Sequence, residues 1–507
     1  ILKQVFRYAV DSSTDNKFAL GAVCREWRDL ALPALYRSAH FLDNSNNNME
    51  SIHPLSLAEA LACCTTNLSL IMDANASRYV RQMVVFIRTE AGLLVLMTVA
   101  QAVFGGYGLV MANAHTLHVD SIVRVTEATM RLYASSFKLR EQVGRMKDAF
   151  VVGMPGVVRL VLSVAFDPVL DRAFAGPLVR SYAGRLTGLE IRSPVVAGSA
   201  VAFDRLQSLS MVLDASGRSP IVARPEGLRK LELSGIPSTF AWQMFSDADG
   251  SRRLRFGQLT TLRLDFMPYT TADDLISTSV GWPSVELPQL QRLEVSNASS
   301  DHALFEECMF PRHVHTVDNR YSTEALGKLR DVETIGYMRV LIGNGELSPK
   351  VYSVLNRWFG SDGVCRDGGM QVSSTQTIDF AAVDWQRLSF LYFSERVHFG
   401  DLARLLPRVP GVRDLVLLKP VFSSPDSADE GVLAGGEPLS SGLEKLSLYG
   451  AGGRSAWASA CIERLVERLP RLRTLRATVY GADEFAGFCS ARQSVYPHLA
   501  GIAFESL

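Results

Sequence analysis

One short pattern recurs through this chain: an apolar residue, two of any kind, an apolar residue, one of any kind, an apolar residue. It reads LTGLEI from Leu186, LQSLSM from Leu206, LRKLEL from Leu228, LTTLRL from Leu259 and LQRLEV from Leu290. It returns as VRDLVL from Val412, LEKLSL from Leu443 and LRTLRA from Leu472. Weaker copies begin at Val80, Val157, Leu388 and Leu499. Successive clear copies are mostly 20 to 31 residues apart. The last positions alternate with the period of a strand, so every second side chain faces one side. A strand this short cannot bury its apolar face alone. Eight clear copies in one chain therefore predict a stack of like units, each covering the next.

The segments between copies read as helices. Ser455 can cap a helix whose Trp457, Cys461, Leu465 and Leu469 line one face, and Pro470 stops it. Residues 270–280 open on a threonine cap with Asp273 and Asp274 in the first turn, and residues 481–493 behave alike. Strand, turn and helix at this period make a leucine-rich-repeat unit. The expected fold class is α/β, with residues 60–507 as an irregular leucine-rich-repeat solenoid, a parallel sheet on its concave side and helices outside. Residues 330–387 hold no clear copy, and residues 361–377 read as a loop. Residues 423–442, rich in Gly and Ser and net acidic, read as a second.

Length alone would suggest about three domains, but a repeat array fills 507 residues as one. Lys and Arg total 52, as do Asp and Glu, so no basic excess points to nucleic acid or an anionic membrane. The seven cysteines are odd in number and contain no C-x-x-C, which reads as free thiols in a reducing compartment, cytoplasmic or nuclear. The sequons at Asn67, Asn75 and Asn297 then carry little weight. Residues 91–112 lack any charge. Gln101 in mid-span and Gly105, Gly106 and Gly108 argue for a buried helix to Phe104, a turn and a second buried segment rather than a membrane span.

Catalytic motifs are absent: no G-x-S-x-G, no H-E-x-x-H, no P-loop and no G-x-G-x-x-G. His302, Cys308, His313 and His315 are the one cluster of ligand types, and their spacing matches no standard zinc site. Cys63 and Cys64 read as small buried hydrophobes. No catalytic residue, metal or cofactor is expected. An enzyme would need its site in the unpatterned residues 296–387.

The N-terminal residues differ from the rest. Residues 1–8 read as the end of an amphipathic helix, and residues 18–31 as another, which Pro33 ends or kinks. A polar run follows at 43–51. Cys24 has neither ligand partners nor a His close by. The stretch ILKQVFRYAV…LGAVCREWRDLALPALYRSAHF resembles an F-box, in the form common in fungal proteins. Ile1, Leu2, Val5, Phe6, Val23, Cys24, Arg25, Trp27, Arg28, Leu35 and Tyr36 match. The family's leading Leu-Pro pair is missing, no Met precedes Ile1, and the chain reads as one trimmed at its start. The expected organisation is an all-α F-box-like module at 1–42, a linker at 43–59 and the solenoid at 60–507.

The resemblance implies a non-catalytic substrate-recognition adaptor of a Skp–cullin–F-box ubiquitin ligase. Ile1, Leu2, Val5, Phe6, Leu20, Val23, Cys24, Trp27 and Leu30 would meet the Skp-type adaptor of the cullin–RING ligase. The repeats would hold a protein substrate, and the chain would be a monomer outside the complex, with no nucleic acid or membrane bound. The alternative is a leucine-rich-repeat scaffold unconnected to ubiquitination. In each strand the outward neighbours of the buried leucines face the concave side. Lys230, Glu232, Arg263, Asp265, Arg292, Glu294, Lys445, Tyr449 and Arg476 are the candidate substrate contacts there, with Thr261 and Ser447 beside them. A solvated face of mixed charge is the other reading of the same residues.

Overall fold

The computed structural model describes residues 32–43, 57–62, 64–121, 137–164, 174–192, 201–213, 221–223, 225–236, 253–266, 284–296, 308–319, 329, 332–342, 349–373, 378–421, 437–449, 456–478 and 482–506. The F-box positions Ile1 to Leu30 and the helix expected at 270–280 lie outside these residues. The chain forms two compact units, residues 1–259 and 260–507. Both are mixed α/β stacks of parallel strands, solenoid-like in their repetition.

The first unit holds β1 (Ser38–Asp43), β2 (Cys64–Thr66), β3 (Gln82–Ile87), β4 (Thr116–Ser121), β5 (Arg159–Val164), β6 (Gly188–Ile191), β7 (Val201–Phe203), β8 (Ser208–Val212), β9 (Ile221–Ala223), β10 (Lys230–Ile236) and β11 (Arg253–Arg255). Strands β1, β3, β4, β5, β6, β8 and β10 pair in that order, all parallel. The L-x-x-L-x-L pattern explains the register. In LRKLEL, Leu228, Leu231 and Leu233 are each 0% exposed, while Lys230 is exposed and Glu232 half-buried between them. Each fully buried leucine of this kind contributes roughly 1.5–3 kcal/mol. The helices Glu90–Ala100, Phe137–Gly153 and Gly176–Tyr182 stack beside one another. The Tyr182 hydroxyl donates to the carbonyl of Phe150 at 3.0 Å, satisfying its one buried polar group. The uncharged residues 91–112 run as the helix Glu90–Ala100, a π-helical turn Gln101–Gly106, and Gly108 in the left-handed region at φ 63°. No helix among the described residues is long and apolar enough to cross a membrane.

The parallel array takes in residues before position 60. β1 spans the boundary placed at 42/43, and its last residue, Asp43, is 6% exposed. Its Oδ2 accepts from the backbone N–H of Arg88 (2.9 Å) and of Thr89 (2.8 Å) and from the Thr89 hydroxyl (2.8 Å). Thr89 in turn caps the helix Glu90–Ala100, its oxygen accepting from Gly92 N–H. An acid that reads as the start of a polar linker is thus the latch between a strand and a helix. The other edge of β1 is covered. β2 pairs with it antiparallel, and the Asn67 amide bridges Ser38 O and His40 N at 2.8 Å each. That satisfies a strand edge that would otherwise be open to a further strand.

The second unit holds β12 (Thr261–Phe266), β13 (Ser284–Glu286), β14 (Arg292–Ser296), β15 (Cys308–Met309), β16 (His313–Asn319), β17 (Thr334–Ile342), β18 (Cys365–Val372), β19 (Leu388–His398), β20 (Asp414–Val421), β21 (Lys445–Leu448), β22 (Thr474–Ala477) and β23 (Ala503–Ser506). β12, β14, β16, β17, β18, β19, β20, β21, β22 and β23 pair in that order, all parallel. Helices Pro349–Phe359, Phe399–Leu405, Ala456–Glu467 and Ala482–Arg492 lie between strands in sequence. Not every connection is helical: β7 pairs with β9 and β13 with β15, so these connections carry short strands in small parallel ladders of their own. In such short spacers, apolar pairs at alternate positions, such as Val201 and Phe203, bury as strands (7% and 1% exposed).

The stretch 361–377 expected as a loop holds β18, paired between β17 and β19. Gly368 stands in register with Met338 and Leu388, where the pattern calls for a large apolar side chain. A Cβ there would lie 2.3 Å from Cε1 of Phe359. The ring of Phe359, at the end of helix Pro349–Phe359 and 0% exposed, fills the place of the missing leucine. Trp385, also 0% exposed, packs 6.0 Å from that ring and 5.6 Å from Phe380, and its indole N–H donates to Phe380 O at 2.9 Å.

Candidate protein-binding surface

The face of each sheet away from its buried leucines carries the functional candidates. In the first unit it mixes ion pairs with apolar residues such as Val84, Phe86 and Val161. Lys230 and Glu232 form an ion pair at 2.9 Å. Glu190 lies 2.8 Å from Arg192 and 3.5 Å from Arg159. Burial pushes the Glu190 carboxyl up, but the hydrogen bond and charge of Arg192, with help from Arg159, outweigh it and hold the carboxyl below its ordinary value. His118 stands in register with Val84 and Val161. Burial lowers its pKa, Arg192 and Arg159 add to that, and Asp120 and Glu190 oppose it.

At the start of the second unit, Arg263, Arg292 and Glu294 come together. Arg263 and Glu294 are register neighbours on β12 and β14, 3.6 Å apart, and Arg292 bonds the same carboxylate. Asp265 is half-buried opposite Ser296. At the far end Lys445 stands in register with Asp414 and with Thr474. Burial pushes the Asp414 carboxyl up, against the charges of Lys445 and Arg476. Arg476 pairs with Glu505, and Tyr449 follows β21, its N–H bonding Leu417 O at 2.8 Å. Of the nine expected contacts, Lys230 and Glu232 belong to the first unit, and the other seven form two clusters at opposite ends of the second unit's sheet.

Between those two clusters lies a different surface, on β17 to β20. Along one row run Arg339, Gly369, Phe390 and Asp414, and along the next Leu341, Gln371, Tyr392 and Val416. Gly369 is itself buried, because Tyr337 and Phe390 lean over it. A Cβ at 369 would lie 2.7 Å from the Tyr337 hydroxyl and 3.3 Å from Phe390 Cδ1. Tyr337 has its pKa raised, chiefly by burial, against the lowering charge of Arg339. Arg339 is half-buried and donates from Nη2 to Gln371 Oε1 at 3.3 Å. Tyr337, Arg339, Gln371, Phe390 and Tyr392 were not among the residues singled out by sequence. The weak copy LSFLYF held the signal, since its outward positions are Phe390 and Tyr392 where other copies carry charges.

His313 and His315 lie on β16 and Cys308 on β15, His313 Nδ1 is 2.6 Å from Thr334 Oγ1, and His302 lies outside the described residues. Among the described residues no three His, Cys, Asp or Glu side chains converge on a point where a metal ion could sit. The arrangement offers non-covalent contact: aromatic rings, a guanidinium and an extended row of backbone-fixed side chains. No protein-family model and no curated protein matches this chain.

Proposed function

We propose that this chain is a non-catalytic substrate-recognition adaptor of a Skp–cullin–F-box ubiquitin ligase, working in the cytoplasm or nucleus. The observation that carries the reading is an order of parts. The F-box-like residues 23–28 run through Leu35 and Tyr36 directly into β1, the first strand of a parallel array with one open face. In this reading residues 1–42 grip a Skp-type adaptor, and the open face holds a protein to be ubiquitinated.

The test is capture of a recombinant Skp adaptor by the full chain, with Trp27→Ala as the variant. Trp27 follows Val23 and Cys24 by four and three residues and precedes Leu30 by three, the spacing of one face of the helix expected at 18–31. Truncating a packed tryptophan costs about 3–5 kcal/mol, more than a module this small can lose. The variant should lose the adaptor while the array keeps its circular dichroism and melting. Wild-type capture by Trp27→Ala would overturn the F-box reading. No capture by the wild-type chain, with its array folded, would leave the leucine-rich-repeat scaffold.

A further inference from the structure

On β16 to β20, Asp318 and Asp414 stand in Arg339's own row, and Asp367 stands in the row nearer the strands' N-terminal ends. The row from Leu341 through Gln371, Tyr392 and Val416 to Ser447 has no acid. Arg339 bonds into that row through Gln371. A guanidinium has five N–H donors in a fixed fork, and among the described residues this one makes a single side-chain hydrogen bond and no ion pair. Further toward the C-terminal ends, Arg396 and Lys419 are register neighbours, both exposed, and neither is in an ion pair among the described residues. Like charges placed side by side across two strands repel, so this pair destabilises the folded array unless an anion joins it.

We infer that this surface seats an acidic segment of a protein partner, with a carboxylate on the Arg339 fork, apolar side chains against Phe390 and Tyr392, and further acids by Arg396 and Lys419. This rests on the substrate-holding role given above to the open face and names the chemistry of what is held. A planar guanidinium fits a carboxylate through two parallel bonds, and such bonds gain strength beside apolar surface. Arginine and tyrosine are also the residue types that most often dominate protein interfaces.

The experiment uses the full chain and three fluorescent peptides in which leucine alternates with glutamate, glutamine or lysine, read by anisotropy. The glutamate peptide should bind about tenfold more tightly than the glutamine peptide, as expected for one charge-assisted bidentate contact. Arg339→Gln should remove that preference, Arg339→Lys should keep part of it, and the Arg396→Gln, Lys419→Gln pair should reduce its dependence on salt. Circular dichroism and melting show that each variant is folded. Equal binding of the glutamine peptide, tighter binding of the lysine peptide, or an unchanged preference in folded Arg339→Gln would overturn the inference. Skp adaptor capture is measured on the same preparation. Capture without glutamate preference sinks this inference alone, and glutamate preference without capture sinks the ligase reading alone.

Discussion

The strands β12 and β14 and the strands β17 to β19 solve one packing problem in two ways. The first pair are six and five residues long, follow the leucine pattern, and carry arginines and glutamate that satisfy one another. The second group are nine, eight and eleven residues long, lose the pattern in β17 and β18, and carry aromatic rings around a guanidinium with one partner. The difference teaches that array position depends on filled volume and not on leucine as such. It also separates a face already neutralised by its own charges from one with bonding capacity to offer a partner.

The comparison breaks most easily at Trp385. If β18 and β19 are held as firmly as β12 and β14, the aromatic cluster must do what leucines do elsewhere. Trp385→Ala removes a ring in contact with Phe359 and Phe380 together with a buried hydrogen bond. It should cost about 3–5 kcal/mol, within the range for burying a cavity of that size. Urea unfolding of the full chain would show it as a lower midpoint for the second unit. An unchanged midpoint would mean that the Phe359–Trp385 cluster does not hold this stretch in place.

The two adjacent glycines sharpen the same point. Alanine at 368 meets the Phe359 ring and, at 3.1 Å, the carbonyl of Arg387, so it overpacks and should cost about 1–3 kcal/mol. Alanine at 369 meets the end of the Tyr337 side chain, which can swing aside. Gly369→Ala should cost less than Gly368→Ala while changing tyrosine fluorescence. The reverse order of melting temperatures would refute the assignment of inward and outward faces.

These residues show what was legible in the sequence. Where the buried positions are leucine, as at Leu262 and Leu264 or Leu446 and Leu448, the strand, its register and its outward residues follow from the pattern. β18 was not legible because its inward position is filled from a helix, by Phe359, and a sequence pattern records only what a strand brings itself. Asp43 was hidden for a related reason: an acid next to a polar run gives no sign of the three hydrogen bonds that await it 45 residues on. Among outward residues, charge was read as contact surface, yet Arg263, Arg292 and Glu294 answer one another. The half-buried Arg339 sat in a stretch with no pattern to align it.

The open face of the first unit supplies a pH test. His118 has its pKa held below the ordinary 6.5, chiefly by burial. The unfolded chain therefore binds the proton more readily than the folded one, and stability present above pH 6.5 is lost as the pH falls through the folded value. His118→Gln should flatten the melting temperature across that acid range. A variant with the same slope as the wild type would show that His118 is not the group responsible.

The smallest effects belong to the charged cluster of β12 and β14. Arg263 and Arg292 have side chains 45% and 59% exposed, whereas Glu294 is 14% exposed and lies between them. Exposed ion pairs contribute about 0–1 kcal/mol, and either arginine alone still answers the carboxylate. Arg263→Ala and Arg292→Ala should therefore each shift stability by less than about 1 kcal/mol. The double variant leaves Glu294 half-buried without its cations, so its cost should exceed the sum of the two. Additive costs in urea unfolding would mean that the arginines do not share the carboxylate. If either single variant also lost the glutamate-peptide preference expected of Arg339, the contrast between a self-neutralised face and a receptive one would fail.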